Sequence, residues 1–368
     1  MNALESYLEQ LNQIRGHGVA ETSYYGPLVT LLNAVGESLA SPVICVTQLK
    51  DTGAGLPDMG LFTAAQLERE DDVAAPAPLP GTLPARGAVE VKGLAADIEA
   101  TVHSEQVARY LHRYGQVLVT NLRQFALVGR DEHGQLALLE AYTLAASEAD
   151  FWAMARHPRR AEREHGERLR DYLARALLMP APRDNPRDVA WFLASYAREA
   201  RVRMLRALDS DTFPELTAIR EALEKTLGIH FQGRQGDYFF YATLVQTLFY
   251  GLFSAWVLWE PPPNRPDEGF DWRLAAYELR APVISTIFER LLLPSYLRQF
   301  DLFDTLNRTG DLLNRIDRGA FFEHFQQEHA VQYFYEPFLE AYDPELRKEL
   351  GVWYTSPDTW PSPPGGAT

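Results

Sequence analysis

The stretch from Tyr238 to Trp259, YFFYATLVQTLFYGLFSAWVLW, carries no charged side chain and is long enough as a helix to cross a bilayer. A run of this kind has to be hidden from water, so it demands either a membrane span or a helix enclosed on all sides by protein. Thr243, Gln246, Thr247 and Ser254 interrupt it, Asp237 and Glu260 bound it, and no cluster of Lys or Arg flanks it. Basic flanks are what orient a span. The expectation is therefore a buried helix in a helical domain and no membrane partner. The first residues, MNALESYLEQLNQIRG, lack the basic n-region and apolar h-region of an export signal, which predicts a cytoplasmic chain.

At 368 residues the chain exceeds the usual size of one hydrophobic core, so two domains are expected. Residues 1–146 mix both periodicities. A first helix ends near Gly16, and ETSYYGPLVTLLNAVGESL has apolar residues at helical spacing, with Thr22 or Ser23 available as an N-cap. PVICVTQL, GLPDMGLF and GAVEVKG read as strands in one sheet, and the single cysteine, Cys45, reads as a buried strand residue. A Pro/Ala-rich, acidic loop separates the second strand from the third. The helix HSEQVARYLHRYG then precedes three more strands, QVLVTN, RQFALVGRD and QLALLEAY. This is an α/β order that predicts a mixed sheet flanked by helices.

From about Ser147 strand signals vanish. Helical patterns over 187–208, 214–227, 237–259 and 296–316 predict an all-α domain over 147–330, followed by a short region over 331–357 and a disordered tail over 358–368.

Chemistry concentrates on two of the strands. Alternate residues of a strand share a face, so Glu90 and Lys92 point together while Val91 points into the core. An adjacent strand bearing Asp58 would bring two carboxylates and an ammonium to one point. Such an oxygen-rich pair suits Mg²⁺, which binds a few carboxylates and keeps waters and substrate phosphate as further ligands. The ammonium of Lys92 would then orient a nucleophile or stabilise developing oxyanions.

Other constellations are poorer. The histidines show no transition-metal spacing, and the glycines of DTGAGLPDMG, with no Gly-Lys-Ser/Thr after them, read as a turn entering a strand. Between Arg156 and Leu177, Arg alternates with Glu at helical spacing, which fits either a salt-bridged exposed face or a DNA-backbone contact. The net charge of −15 opposes phosphate binding in total, yet it leaves room for a local basic face.

GLPDMGLF and GAVEVKG resemble the two strand motifs of the PD-(D/E)XK nuclease superfamily. The resemblance implies a restriction-endonuclease-like fold and Mg²⁺-dependent hydrolysis of double-stranded DNA, with Asp58, Glu90 and Lys92 as the core of the site. It also implies a supporting metal carboxylate at Glu21 on the first core helix, and a site residue at Gln106, which matches a helical Gln-X-X-X-Tyr pattern ending at Tyr110.

The second half, with ATLVQTLFYGLFSAW, LLNRIDRGAFFEHF and YFYEPFLEAYDPELRKELGVWYT, resembles the connector of single-chain type ISP and type IIG restriction-modification enzymes. In those proteins a nuclease, a helical connector, an adenine-specific methyltransferase and a target-recognition domain follow one another. The resemblance makes residues 331–357 the incomplete start of a methyltransferase-type region, where Gly351, Tyr354 and Thr355 match part of an element that helps bind S-adenosylmethionine in that family, but no glycine-rich cofactor strand or Asn-Pro-Pro-Tyr motif follows. The resemblance thus implies no methylation by this chain alone and a separate methyltransferase/target-recognition half as a partner. The alternative reading is a non-catalytic fragment that binds DNA or that partner.

Overall fold

The computed structural model describes residues 2–15, 21–39, 41–47, 49, 55–67, 83–131, 135–179, 186–208, 214–227, 230–261, 264, 269–279, 288, 291–316, 318–324 and 327–343. The chain folds into two compact units, Met1–Ala181 and Pro182–Thr368.

The first unit opens with helices α1 (Ala3–Arg15) and α2 (Tyr25–Gly36). A single turn of 3₁₀ helix, Glu21–Tyr24, leads into α2, so Tyr24 rather than Thr22 or Ser23 holds the N-cap position, without a side-chain cap. Strands β1 (Val43–Thr47), β2 (Met59–Thr63) and β3 (Ala88–Val91) follow, and then helices α3 (Ile98–Val102) and α4 (Glu105–Tyr114). Strands β4 (Val117–Thr120), β5 (Gln124–Arg130) and β6 (Leu136–Thr143) complete a six-stranded sheet in sequence order. The sheet is mixed: β3 and β4 run parallel across the α3–α4 connection, and the other neighbours are antiparallel. A parallel pair needs such a crossover.

Local chemistry accounts for α4. Ser104 accepts from the Val107 amide at its start, and Gly115 takes the left-handed conformation at its end with φ 75°. Its apolar stripe of Val107, Tyr110, Leu111 and Tyr114 packs on Ala88, Val117, Val119, Ala126 and Val128 of the sheet. Cys45 is buried on β1, where loss of hydration pushes its thiol up to about 12.

Helices α5 (Glu148–Ala155), α6 (Pro158–Ala161) and α7 (Glu167–Leu178) belong to this first unit. The expected boundary at 146/147 thus falls inside it. An ion pair between Arg175 of α7 and Glu140 of β6, both buried, links that helix to the sheet, and neither charge reaches water in place of its partner. The Arg-rich stretch is interleaved with acids: Arg159 pairs with Glu5 and Arg160 with Glu164, both arginines largely exposed.

The second unit contains α8 (Pro186–Leu208), α9 (Pro214–Leu227), α10 (Gly233–Leu258), α11 (Ala275–Glu278), α12 (Pro294–Gln299), α13 (Phe303–Asn314), α14 (Arg318–His324) and α15 (Gln327–Tyr342). The uncharged run forms α10, a helix long and apolar enough to cross a membrane, and most of it is buried against the protein's own helices, α8, α11 and α15 among them. Phe253 stacks on Phe334 with ring centroids 3.7 Å apart, and Gln246 Nε2 donates to Tyr335 Oη at 3.1 Å. Arg318 donates to the carbonyl of Trp259 at 2.9 Å and to that of Trp256, satisfying acceptors that the end of α10 leaves open.

The helix expected over 296–316 is broken. Asp301 adopts φ 53°, the Leu302 amide donates back to the Leu297 carbonyl at 2.9 Å and the Asp301 amide to that of Arg298 at 3.2 Å, a Schellman closure without glycine. Residues 331–343 of the short region expected after the connector lie in α15 and its end, packed on α8 and α10. Residues 358–368 lie outside the described residues.

Candidate active site

β2 and β3 pair antiparallel with Met59 opposite Val89 and Gly60 opposite Ala88. Continuing that register by one step sets Asp58 against Glu90. The Val91 backbone N–H donates to Asp58 Oδ2 at 2.7 Å, so the carboxylate of Asp58 takes the place of a ladder acceptor where β2 begins. Its other oxygen, Oδ1, accepts from the phenol of Tyr25 in the first turn of α2 at 2.5 Å. Two donors from two elements fix the plane of this carboxylate, and each oxygen keeps a lone pair for a further partner.

Glu90 is buried at 2% exposure, because β3 is a central strand covered on both faces. Lys92, two residues on and hence on the same face, places Nζ 2.5 Å from Glu90 Oε1, while its side chain stays 35% exposed. Its backbone N–H donates to the Thr120 carbonyl at 2.8 Å, extending the parallel β3–β4 ladder past Val91. Val91 itself is buried in the core. Asp58, Glu90 and Lys92 thus meet at the ends of two adjacent strands.

Gln106 reaches this place indirectly. Its Nε2 donates to Tyr110 Oη at 3.1 Å, and Tyr110 Oη donates to the Leu56 carbonyl at 2.7 Å, two residues before Asp58. Gly55, with φ 95°, lies against the same ring, where an added Cβ would stand 3.6 Å from it. Burial raises the Tyr110 phenol above its ordinary value, and the charges of Glu90 and Asp58 push it the same way, against the lowering effect of the Gln106 hydrogen bond. Tyr110 therefore both packs in the core and ties down the segment that carries Asp58.

Glu21 starts the 3₁₀ turn ahead of α2, but its side chain lies outside the described residues, as do Gly351, Tyr354 and Thr355 entirely. Among the described residues no group of three or more His, Cys, Asp or Glu side chains clusters as a metal cage. The site in view has two carboxylates. Mg²⁺ is commonly held by one or two carboxylates plus waters and substrate oxygens, so these donors fit a hard divalent cation and would not hold a thiolate- or imidazole-seeking metal.

Tyr25 is the site residue that sequence reasoning passed over. Its place in ETSYYG marks it as a helix-start aromatic, and only the approach of α2 to β2 gives its hydroxyl a partner.

No family model matches the chain, and no curated protein matches it. A solved structure, the cryo-EM structure of a DrdV–DNA complex, aligns over 96% of this chain at 16% identity with a TM-score of 0.28. This chain spans 30% of the length of the chain it matches there. A TM-score of that size does not assign a fold.

Proposed function

We propose that the first unit is a metal-dependent DNA endonuclease of the PD-(D/E)XK type, acting within a restriction-modification system. The observation that carries this reading is the convergence of Asp58, Glu90 and Lys92 at the ends of β2 and β3, with Asp58 hydrogen-bonded to the backbone of the strand that bears the other two. A Pro-Asp turn and a Glu-X-Lys strand are each common alone; two adjacent strands presenting both at one point is the arrangement that this chemistry requires.

Asp58 and Glu90 would hold the metal. When bound, Mg²⁺ supplies Lewis-acid activation of water and neutralises charge on the phosphodiester. Asp58 contributes an oriented carboxylate, locked by Tyr25 and by the Val91 N–H, so that little reorganisation is needed on binding. Lys92 contributes an ammonium whose one-third exposure lets it leave Glu90 for a phosphate oxygen, and its charge stabilises the oxyanion that develops there. Gln106 and Tyr110 hold the Leu56–Asp58 segment in register.

Nicking of supercoiled plasmid by the purified chain with Mg²⁺ tests the reading, run beside Asp58→Ala, Lys92→Ala and an EDTA control. Nicking that both substitutions and EDTA abolish supports it. Wild-type protein that leaves plasmid intact across a Mg²⁺ titration overturns an autonomous endonuclease and favours a non-catalytic fragment.

A further inference from the structure

Helix α4 presents more than its core stripe and the Gln106–Tyr110 pair. Arg109, His112 and Arg113 are all exposed, and none of them makes an ion pair with a described residue. At 3.6 residues per turn, Gln106, Arg109 and Arg113 stand at i, i+3 and i+7, so the two guanidinium groups continue the stripe that begins at the site. Lys92 adds a partly exposed ammonium at that site. On the α6–α7 surface Arg159 is paired with Glu5 and Arg160 with Glu164, away from that site.

Exposed arginines with no ion pair among the described residues call for an explanation in an acidic protein. On a chain of net charge −15, two guanidinium groups with no carboxylate partner among the described residues, on one helix face, one turn apart and leading from the candidate site, are complementary to a phosphate backbone. We infer that Arg109 and Arg113 are the backbone-contacting track along which double-stranded DNA lies as it enters the site, with His112 at its outer border. This rests on the endonuclease reading for the identity of the polyanion. The contacts would be to phosphates and carry no sequence readout, so they position any duplex alike.

The test is fluorescence-anisotropy binding of a plain DNA duplex to the full chain, with Ca²⁺ in place of Mg²⁺ and over a salt series. The proteins compared are wild type, Arg109→Ala/Arg113→Ala, Arg109→Lys/Arg113→Lys, and Arg159→Ala/Arg160→Ala as a control surface. The expected result is weaker binding by the α4 alanine pair, for every duplex sequence, with the slope of log affinity against log salt reduced by about 2. The lysine pair and the α6 control keep the wild-type slope. An α4 alanine pair that binds as wild type does, with its slope unchanged, overturns the track while leaving an observed plasmid-nicking activity and the endonuclease reading intact. Wild-type protein that binds no duplex overturns the track, and if it also nicks no plasmid the endonuclease reading falls on its own test. Matching circular dichroism melts for the four proteins exclude misfolding as the cause of any loss.

Discussion

Tyr25 donates its phenolic hydrogen to Asp58 at 2.5 Å, which joins the first turn of α2 to the carboxylate that opens β2. The contact lies outside the Asp58–Glu90–Lys92 triplet, yet it decides how the first member of that triplet is aimed. Tyr25→Phe removes one hydroxyl and little volume. It should raise the Mg²⁺ concentration for half-maximal nicking, or lower the rate, by about 10–100-fold, the usual range for partners of metal-binding side chains. Melting should change little, and an unchanged Mg²⁺ titration would sink the assignment.

Glu90 and Lys92 call for separate variants, because one is buried and the other partly wet. Glu90→Gln keeps shape and removes charge, and should abolish nicking while the fold melts cooperatively. Lys92→Ala strands a buried carboxylate, but with its own side chain one-third exposed the cost is discounted to about 1–2 kcal/mol in urea unfolding. Nicking by folded Lys92→Ala at the wild-type rate would remove Lys92 from the chemistry.

Arg175 and Glu140 are both buried and hydrogen-bonded through several atoms, so removing one partner leaves the other charge dehydrated. Glu140→Ala should cost about 3–5 kcal/mol, while the paired change Glu140→Leu/Arg175→Met should recover much of it. Urea unfolding of the three proteins measures this. Equal stability of single and double variants would show that α7 is held to the sheet by packing instead.

Cys45 has an ordinary thiol value of 9.0 that burial pushes up to about 12. The fold therefore binds the thiol proton more tightly than the unfolded chain does, so this contribution is complete below pH 9 and is lost as pH rises from 9 towards 12. At pH 8 the native protein should not react with a disulfide reagent, and one equivalent should react in urea. Rapid labelling of the native state would contradict the burial of β1.

Much of the first unit is written locally. Short, largely apolar runs bounded by Gly and Pro place the three strands of VICVT, MGLFT and AVEV, Ser104 and Gly115 bracket α4, and the i, i+2 spacing of Glu90 and Lys92 puts them on one face wherever that strand lies. The site was legible to that extent. Its supports were not: the Gln106 amide, read as a site residue, spends its hydrogen bond on Tyr110, whose hydroxyl goes on to Leu56. Gln106 and Tyr110 stand one helical turn apart, but the Tyr110–Leu56 pairing joins residues far apart in the chain, and no local pattern encodes it.

In the second unit the lack of charge from Tyr238 to Trp259 was enough to require enclosure, but which helices enclose it depended on α15 returning to α8 and α10. The break at Asp301 was likewise invisible, since an aspartate takes the left-handed conformation here only because the Leu297 and Arg298 carbonyls find donors beyond the turn. Sequence by itself determined periodicity, caps and the residue types able to bind a hard cation, because these depend on neighbours within a turn or a strand. Tertiary structure alone decided that Tyr25 aims Asp58, that α7 sets Arg175 against Glu140 of the sheet, and that Arg109 and Arg113 face outward with no acid partner among the described residues, because each depends on which distant surface a segment packs against.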